Sequence, residues 1–259
     1  MLIDIPRLCA IHYLTLQSLC IYNWSNTIDL APLFDSLIFL PSLNSIFLSG
    51  HVDTPLPSSL KSLHRFIHAH KTNLVHLSLA FPASTSDETR LGSWLVKFVE
   101  EDYHFPALQA LMIYPFNLQI CLSAVLTLIK RNAPTLSTLI IPNHYLTLEE
   151  AKQVFDALTE SSEELQVQVM IPPKKSLSPS KLKILRLNTK HLSVSLLELL
   201  ARKFPKLENL LWMYTYSLMR FAAFIPPALM GLTYFIASPP RLRPKISCTA
   251  GSWGASLSE

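Results

Sequence analysis

The sequence predicts an α/β fold in which short parallel strands alternate with helices in an irregular solenoid of about seven or eight units. Three observations predict it. Leucine supplies 48 of the 259 residues while glycine supplies only 5. A short apolar string, Leu-x-x-Leu-x-Leu with Ile or an aromatic allowed, recurs along the chain. Amphipathic helical segments lie between the copies, and Pro punctuates the return to the next one.

Each observation excludes something. Five glycines are too few for a dinucleotide-type phosphate loop and ordinary turn chemistry together. A hydrophobic content of 49% with 15% charged residues excludes a disordered chain. No Gly-x-Ser-x-Gly elbow and no P-loop are present. The chain is therefore expected to be non-enzymatic, with no cofactor and no metal.

The strings fall at Leu8-Ile11-Tyr13, Leu43-Ile46-Leu48, Leu74-Leu77-Leu79 and Leu108-Leu111-Ile113, then at Leu136-Leu139-Ile141, Leu182-Leu185-Leu187 and Leu207-Leu210-Trp212. A degenerate copy is read at Leu165-Val167-Val169. The last two apolar positions of each string are two apart, so both point to one face of a strand. One such strand cannot bury that face, but stacked copies make a continuous core. Leu139→Asp would place an unpaired charge in it.

The linking helices are expected over 58–69, 88–101, 119–131, 148–160 and 194–203. Their inward stripes are Leu60, Leu63, Phe66 and Ile67; then Leu91, Trp94, Leu95 and Phe98; then Leu122, Val125, Leu126 and Ile129. The fourth buries Ala151, Val154, Phe155 and Leu158, behind Thr147 and Glu150 at capping-box spacing. The fifth buries Leu196, Leu197 and Leu200 and ends in Arg202-Lys203, which suits a helix C-terminus. Three returns to the next strand are built alike, with Pro two residues before the leading Leu. They are His104-Phe105-Pro106-Ala107-Leu108, Asn132-Ala133-Pro134-Thr135-Leu136 and Lys203-Phe204-Pro205-Lys206-Leu207.

On Phe204-Pro205-Lys206-Leu207-Glu208-Asn209-Leu210 and Ala133-Pro134-Thr135-Leu136-Ser137-Thr138-Leu139 the chain resembles the leucine-rich-repeat family in its longer, ribonuclease-inhibitor-like form. It is most similar to the repeat region of fungal F-box proteins, over about residues 5–214. The resemblance implies parallel strands on a concave side and helices on the convex side. It also implies a role in recruiting substrates to a ubiquitin ligase. Two features depart from the family: no regular Asn follows the third apolar position, and no F-box is seen, since Leu40-Pro41 lies inside a repeat.

Strand residues facing away from the core are the candidate protein-binding set. In the first half these are Phe47, Ser49, Ser78, Met112 and Tyr114; in the second, Ile140, Arg186, Asn188, Leu211 and Met213. Aromatics, Met and Arg are what interfaces favour. A protein partner is expected, with no nucleic acid, and the chain is expected to be monomeric.

The charge of +4 hides an asymmetry: residues 1–170 hold 9 Lys/Arg and 15 Asp/Glu, and residues 171–259 hold 13 and 3. The excess of basic residues is scattered and lacks interleaved aromatics, so it is read as solvating. The solenoid is expected over 1–216. Residues 217–259 are expected to be an apolar, then Pro/Ser/basic tail, poorly ordered or appended to the last repeat. The uncharged run 221–237 leaves a membrane-tethered scaffold as one alternative, although Pro226, Pro227 and Gly231 interrupt it. A degenerate fragment without independent function is the other. No secretory signal is read at the N-terminus, and Cys9, Cys20, Cys121 and Cys248 have no metal or redox spacing, so a cytoplasmic or nuclear location is expected. His64 and His68, followed by His70, are read as a solvated helix face, and Glu100-Glu101-Asp102 as a lesser contact candidate.

Overall fold

The computed structural model describes residues 11–21, 31–37, 39–49, 57–80, 95–100, 104–114, 118–159, 180–191, 193–216, 233–237 and 246–248. It is an α/β fold of parallel strands alternating with helices, divided into compact units at Met1–Leu136 and Ser137–Glu259.

In the first unit four strands run parallel: β1 (Ser18–Ile21), β2 (Ser45–Ser49), β3 (His76–Ala80) and β4 (Ala110–Tyr114). Between them lie α1 (Ala31–Ser36), α2 (Pro57–Ala69) and a helical stretch at 95–100; α3 (Leu118–Asn132) follows β4. The second unit opens with β5 (Thr138–Leu146), then α4 (Leu148–Thr159), β6 (Ile184–His191), α5 (Val194–Lys203) and β7 (Asn209–Tyr216). β8 (Thr233–Ala237) joins β7 in parallel, and β9 (Ile246–Cys248) pairs antiparallel with β8.

Registers follow the apolar strings. Ile46, Leu77 and Leu111 are paired across β2–β4, and Leu48, Leu79 and Ile113 form the next row. Leu139, Leu185 and Leu210 form the corresponding row in the second unit, followed by Ile141, Leu187 and Trp212. All twelve are buried. A one-residue slip would move every one of them to the opposite face, so the burial itself holds the register. Trp212 donates from Nε1 to Thr189 Oγ1 at 2.6 Å, which satisfies its one polar atom inside the core.

The starts of β2, β3, β4, β6 and β7 are fixed by the same pair of backbone bonds. Gln17 O accepts from Asn44 and Ser45, Asn44 O from Val75 and His76, and Val75 O from Gln109 and Ala110. Ser137 O accepts from Lys183 and Ile184, and Lys183 O from Glu208 and Asn209. The return to the strand is also repeated. Leu43 donates to Leu40 O, Leu108 to Phe105 O and Leu207 to Phe204 O, each at 3.1 Å. Pro41, Pro106 and Pro205 sit one residue after the acceptor, where the fixed φ suits a turn and no N–H is needed. Leu40-Pro41 is thus one more copy of the device.

A second repeated device has no counterpart in the sequence pattern. His70 at the end of α2 is fully buried: its Nε2 accepts from Leu40 N–H at 2.9 Å, and its Nδ1 donates to Phe66 O at 2.8 Å. Asn132 at the end of α3 is fully buried too. Its Oδ1 accepts from Phe105 N–H at 2.9 Å, and its Nδ2 donates to Leu128 O at 2.8 Å. In both cases one side chain bonds the carbonyl four residues back in its own helix and the turn of the preceding repeat. The fixed donor at Nδ1 sets the neutral tautomer of His70. His70 therefore does not belong to a solvated face, while His68 is exposed and His64 packs edge-on to Phe98.

Most helix expectations match. α2 buries Leu60, Leu63, Phe66 and Ile67, α4 buries Ala151, Val154, Phe155 and Leu158, and α5 buries Leu196, Leu197 and Leu200. At the start of α4, Thr147 N–H donates to Glu150 Oε2 at 2.7 Å and Glu150 N–H to Thr147 Oγ1 at 3.2 Å, a complete capping box. Ser193 caps α5 by accepting from Leu196 N–H at 3.2 Å.

Two expectations are corrected. The first strand is Ser18–Ile21, not the string at Leu8-Ile11-Tyr13; Ile11 is 69% exposed. The spacing Leu16-Leu19-Ile21 is the copy the sheet uses, and Leu19 is its buried member. α3 turns its small side to the core: Cys121, Ala124, Val125, Leu128 and Ile129 are buried, whereas Leu122 and Leu126 are half-exposed. These five follow the i, i+3, i+4, i+7, i+8 spacing of one helical face, a stripe that shares only Val125 and Ile129 with the expected one. Beyond Tyr216, β8 continues the parallel order within the segment expected to be poorly ordered or appended to the last repeat. β5 pairs directly with β6, and the degenerate copy at 165–169 lies outside the described residues.

Candidate functional site

The strands present their non-core residues in rows, because parallel pairing places equivalent positions side by side. In the first unit Cys20, Phe47, Ser78 and Met112 form one row, and Ser49, Ala80 and Tyr114 another. With strands about 4.8 Å apart, a four-residue row spans about 14 Å, enough for a few residues of a partner. In the second unit Ile140, Arg186 and Leu211 form a row, continued in register by Phe235. A register shift between Ile141 and Tyr145 then brings Tyr145, Asn188 and Met213 into line.

Phe47, Ser49, Met112, Tyr114, Ile140, Arg186 and Leu211 each keep part of their surface in solvent. Ser78 and Asn188 do not: they are 8% and 3% exposed. Ser78 is paired in register between Phe47 and Met112. Asn188 lies in the row of Tyr145. Both are thus closed to solvent in the chain by itself. The side chain of Met213 lies outside the described residues, and its placement rests on strand register alone.

Among the described residues, Ser78 Oγ in the first unit and Arg186 Nε in the second are shut off from solvent without a hydrogen-bond partner. A buried donor left unsatisfied costs about 1–3 kcal/mol, more when charged. Cations that do meet a carboxylate include Lys183, with Glu208 at 2.8 Å, Arg65, with Asp35 at 2.8 Å, and Lys203, with Asp156 at 2.5 Å.

The alternation rule missed Cys20, because the first string was placed upstream of its strand, and Lys190, because β6 runs on to His191. The signal for Lys190 was available: it continues the two-residue period of Arg186 and Asn188.

Elsewhere the chemistry is sparse. Among the described residues no group of three or more His, Cys, Asp or Glu is placed to hold a metal ion. Cys121 is buried and its thiol pKa is pushed up to about 11 by desolvation, against a smaller lowering from a backbone hydrogen bond. That removes it as a nucleophile at neutral pH. Glu100 is exposed, and Glu101 and Asp102 lie outside the described residues. An open groove between α4 and α5 is lined by Lys152, Ser195, Glu198, Leu199 and Arg202, which mixes two cations with one carboxylate. Among the described residues no helix is long and apolar enough to cross a membrane, and residues 233–237 of the uncharged run form β8. The remainder of that run lies outside the described residues.

No protein-family model matches the chain, and no curated protein matches it.

Proposed function

We propose that the chain is a non-catalytic protein-binding solenoid of the leucine-rich-repeat kind, and that its strand rows are the binding surface. One observation carries the reading: Phe47, Met112, Tyr114, Ile140 and Leu211 are large apolar residues that stay partly in solvent on the sheet face opposite the core rows. Soluble proteins place such residues in ordered rows where a partner covers them. The repeated turns and strand-start bonds support the repeat assignment, since identical backbone devices recur where the apolar string recurs. On the resemblance to F-box repeat proteins, the partner is a protein presented to a ubiquitin ligase.

The test is comparative capture with the full chain. Phe47→Ala with Met112→Ala should deplete a defined set of bound proteins. Lys97→Ala, on an exposed helical position, should leave that set intact. A bound set that responds equally to both variants, or to neither, removes the strand rows as the binding surface.

A further inference from the structure

We infer that Arg186 anchors a carboxylate of an acidic protein segment laid across β5, β6 and β7. The inference rests on the strand rows being the partner surface, and it adds the chemistry of the partner. Arg186 lies in the middle of β6 with Ile140 and Leu211 beside it in register. Its Nε–H is closed to solvent and makes no hydrogen bond. Lys183, three residues earlier, already has Glu208. No carboxylate lies within reach of Arg186 on its own sheet, because β5, β6, β7 and β8 contain no Asp or Glu at all.

A guanidinium is a planar fork of donors that matches a carboxylate through two parallel bonds. Flanked by Ile140 and Leu211, it offers an incoming acid a desolvated seat with apolar shoulders. Lys190 stands four residues further along the same strand, exposed, at about 13 Å by strand rise. A second acid on the same segment can meet it there. The unit holding both, Ser137–Glu259, carries 14 Lys/Arg against 9 Asp/Glu. The segment that fits is acidic with apolar residues on either side of the acid.

The experiment is selection of a random-sequence peptide display library on the full chain, followed by affinity measurement of the selected peptides. Wild type should enrich Asp or Glu flanked by apolar residues. Arg186→Gln should weaken those peptides at least about tenfold, and Lys190→Gln by less. Unchanged melting curves for both variants keep the comparison on binding. Peptides that survive Arg186→Gln but are lost with Leu211→Ala leave the partner surface standing and overturn the acidic partner. Peptides indifferent to both overturn the surface itself. A single-stranded oligonucleotide that binds more tightly than the peptides, and is lost with Arg186→Gln, also overturns the acidic segment.

Discussion

His70 shows how one buried side chain can join two repeats. It is fully buried and bonds both its own helix and the Leu40 turn. Desolvation holds its pKa below the usual value, against a smaller raising effect of the Phe66 carbonyl. The unfolded chain therefore binds a proton more readily than the native one, and stability rises with pH through that window. Its contribution is complete above about pH 6.5, the unfolded value, and is lost as pH falls towards the lowered native pKa. Urea unfolding at pH 7.5 and 5.5 should show lower stability at the acid pH. His70→Leu should remove that part of the pH dependence and cost about 2 kcal/mol at pH 7.5, because it leaves the Leu40 N–H and Phe66 carbonyl unpaired. A variant with wild-type stability at both pH values would show that the two bonds do not matter. None of this was legible from sequence, where a His after a helical His pair reads as surface. Asn132 was hidden for the same reason.

At the scale of elements, legibility follows locality. α4 could be placed from Thr147 and Glu150 because a capping box is complete within four residues. Thr147→Ala should cost about 1 kcal/mol, read as a lower urea midpoint with an unchanged slope. An unchanged midpoint would mean the box is redundant. The strand interiors were legible too, since Leu139, Leu185 and Leu210 obey a two-residue period that needs no neighbour to interpret. What failed depended on other segments. The face of α3 was decided by its packing, which buries Cys121, Ala124 and Leu128 and leaves Leu122 and Leu126 half-exposed. Ser78 is buried although it lies between Phe47 and Met112 on the face opposite the core rows, which its own strand's alternation does not reveal. The first strand was misplaced because Leu8-Ile11-Tyr13 imitates the string that Leu16-Leu19-Ile21 fulfils.

For the molecule as a whole, the α/β alternation was readable from composition and repetition, and the strand rows from alternation. Stability in such a chain comes from rows shared between neighbours, so a defect in one row is felt beyond its own strand. Leu139 is fully buried, paired with Leu185 and through it with Leu210. Leu139→Asp should abolish cooperative thermal unfolding followed by circular dichroism. Ile184→Asp, at a position 38% exposed on the other face, should retain a cooperative transition. If both variants melt alike, the faces have been assigned wrongly.

The paired bonds at each strand start also bear on how such a chain changes length. α4 ends at Thr159 and β6 begins only at Ile184, yet Ser137 O still sets where β6 starts. Neighbouring strings from Leu43 to Leu136 are 31, 34 and 28 residues apart without losing step. Alignment is carried by the bonds and turns at each strand entrance, not by the length of chain between them. Residues can thus be gained or lost in the connections while the strand rows keep their order, so a lineage can redraw the loops around the sheet without disturbing the sheet itself.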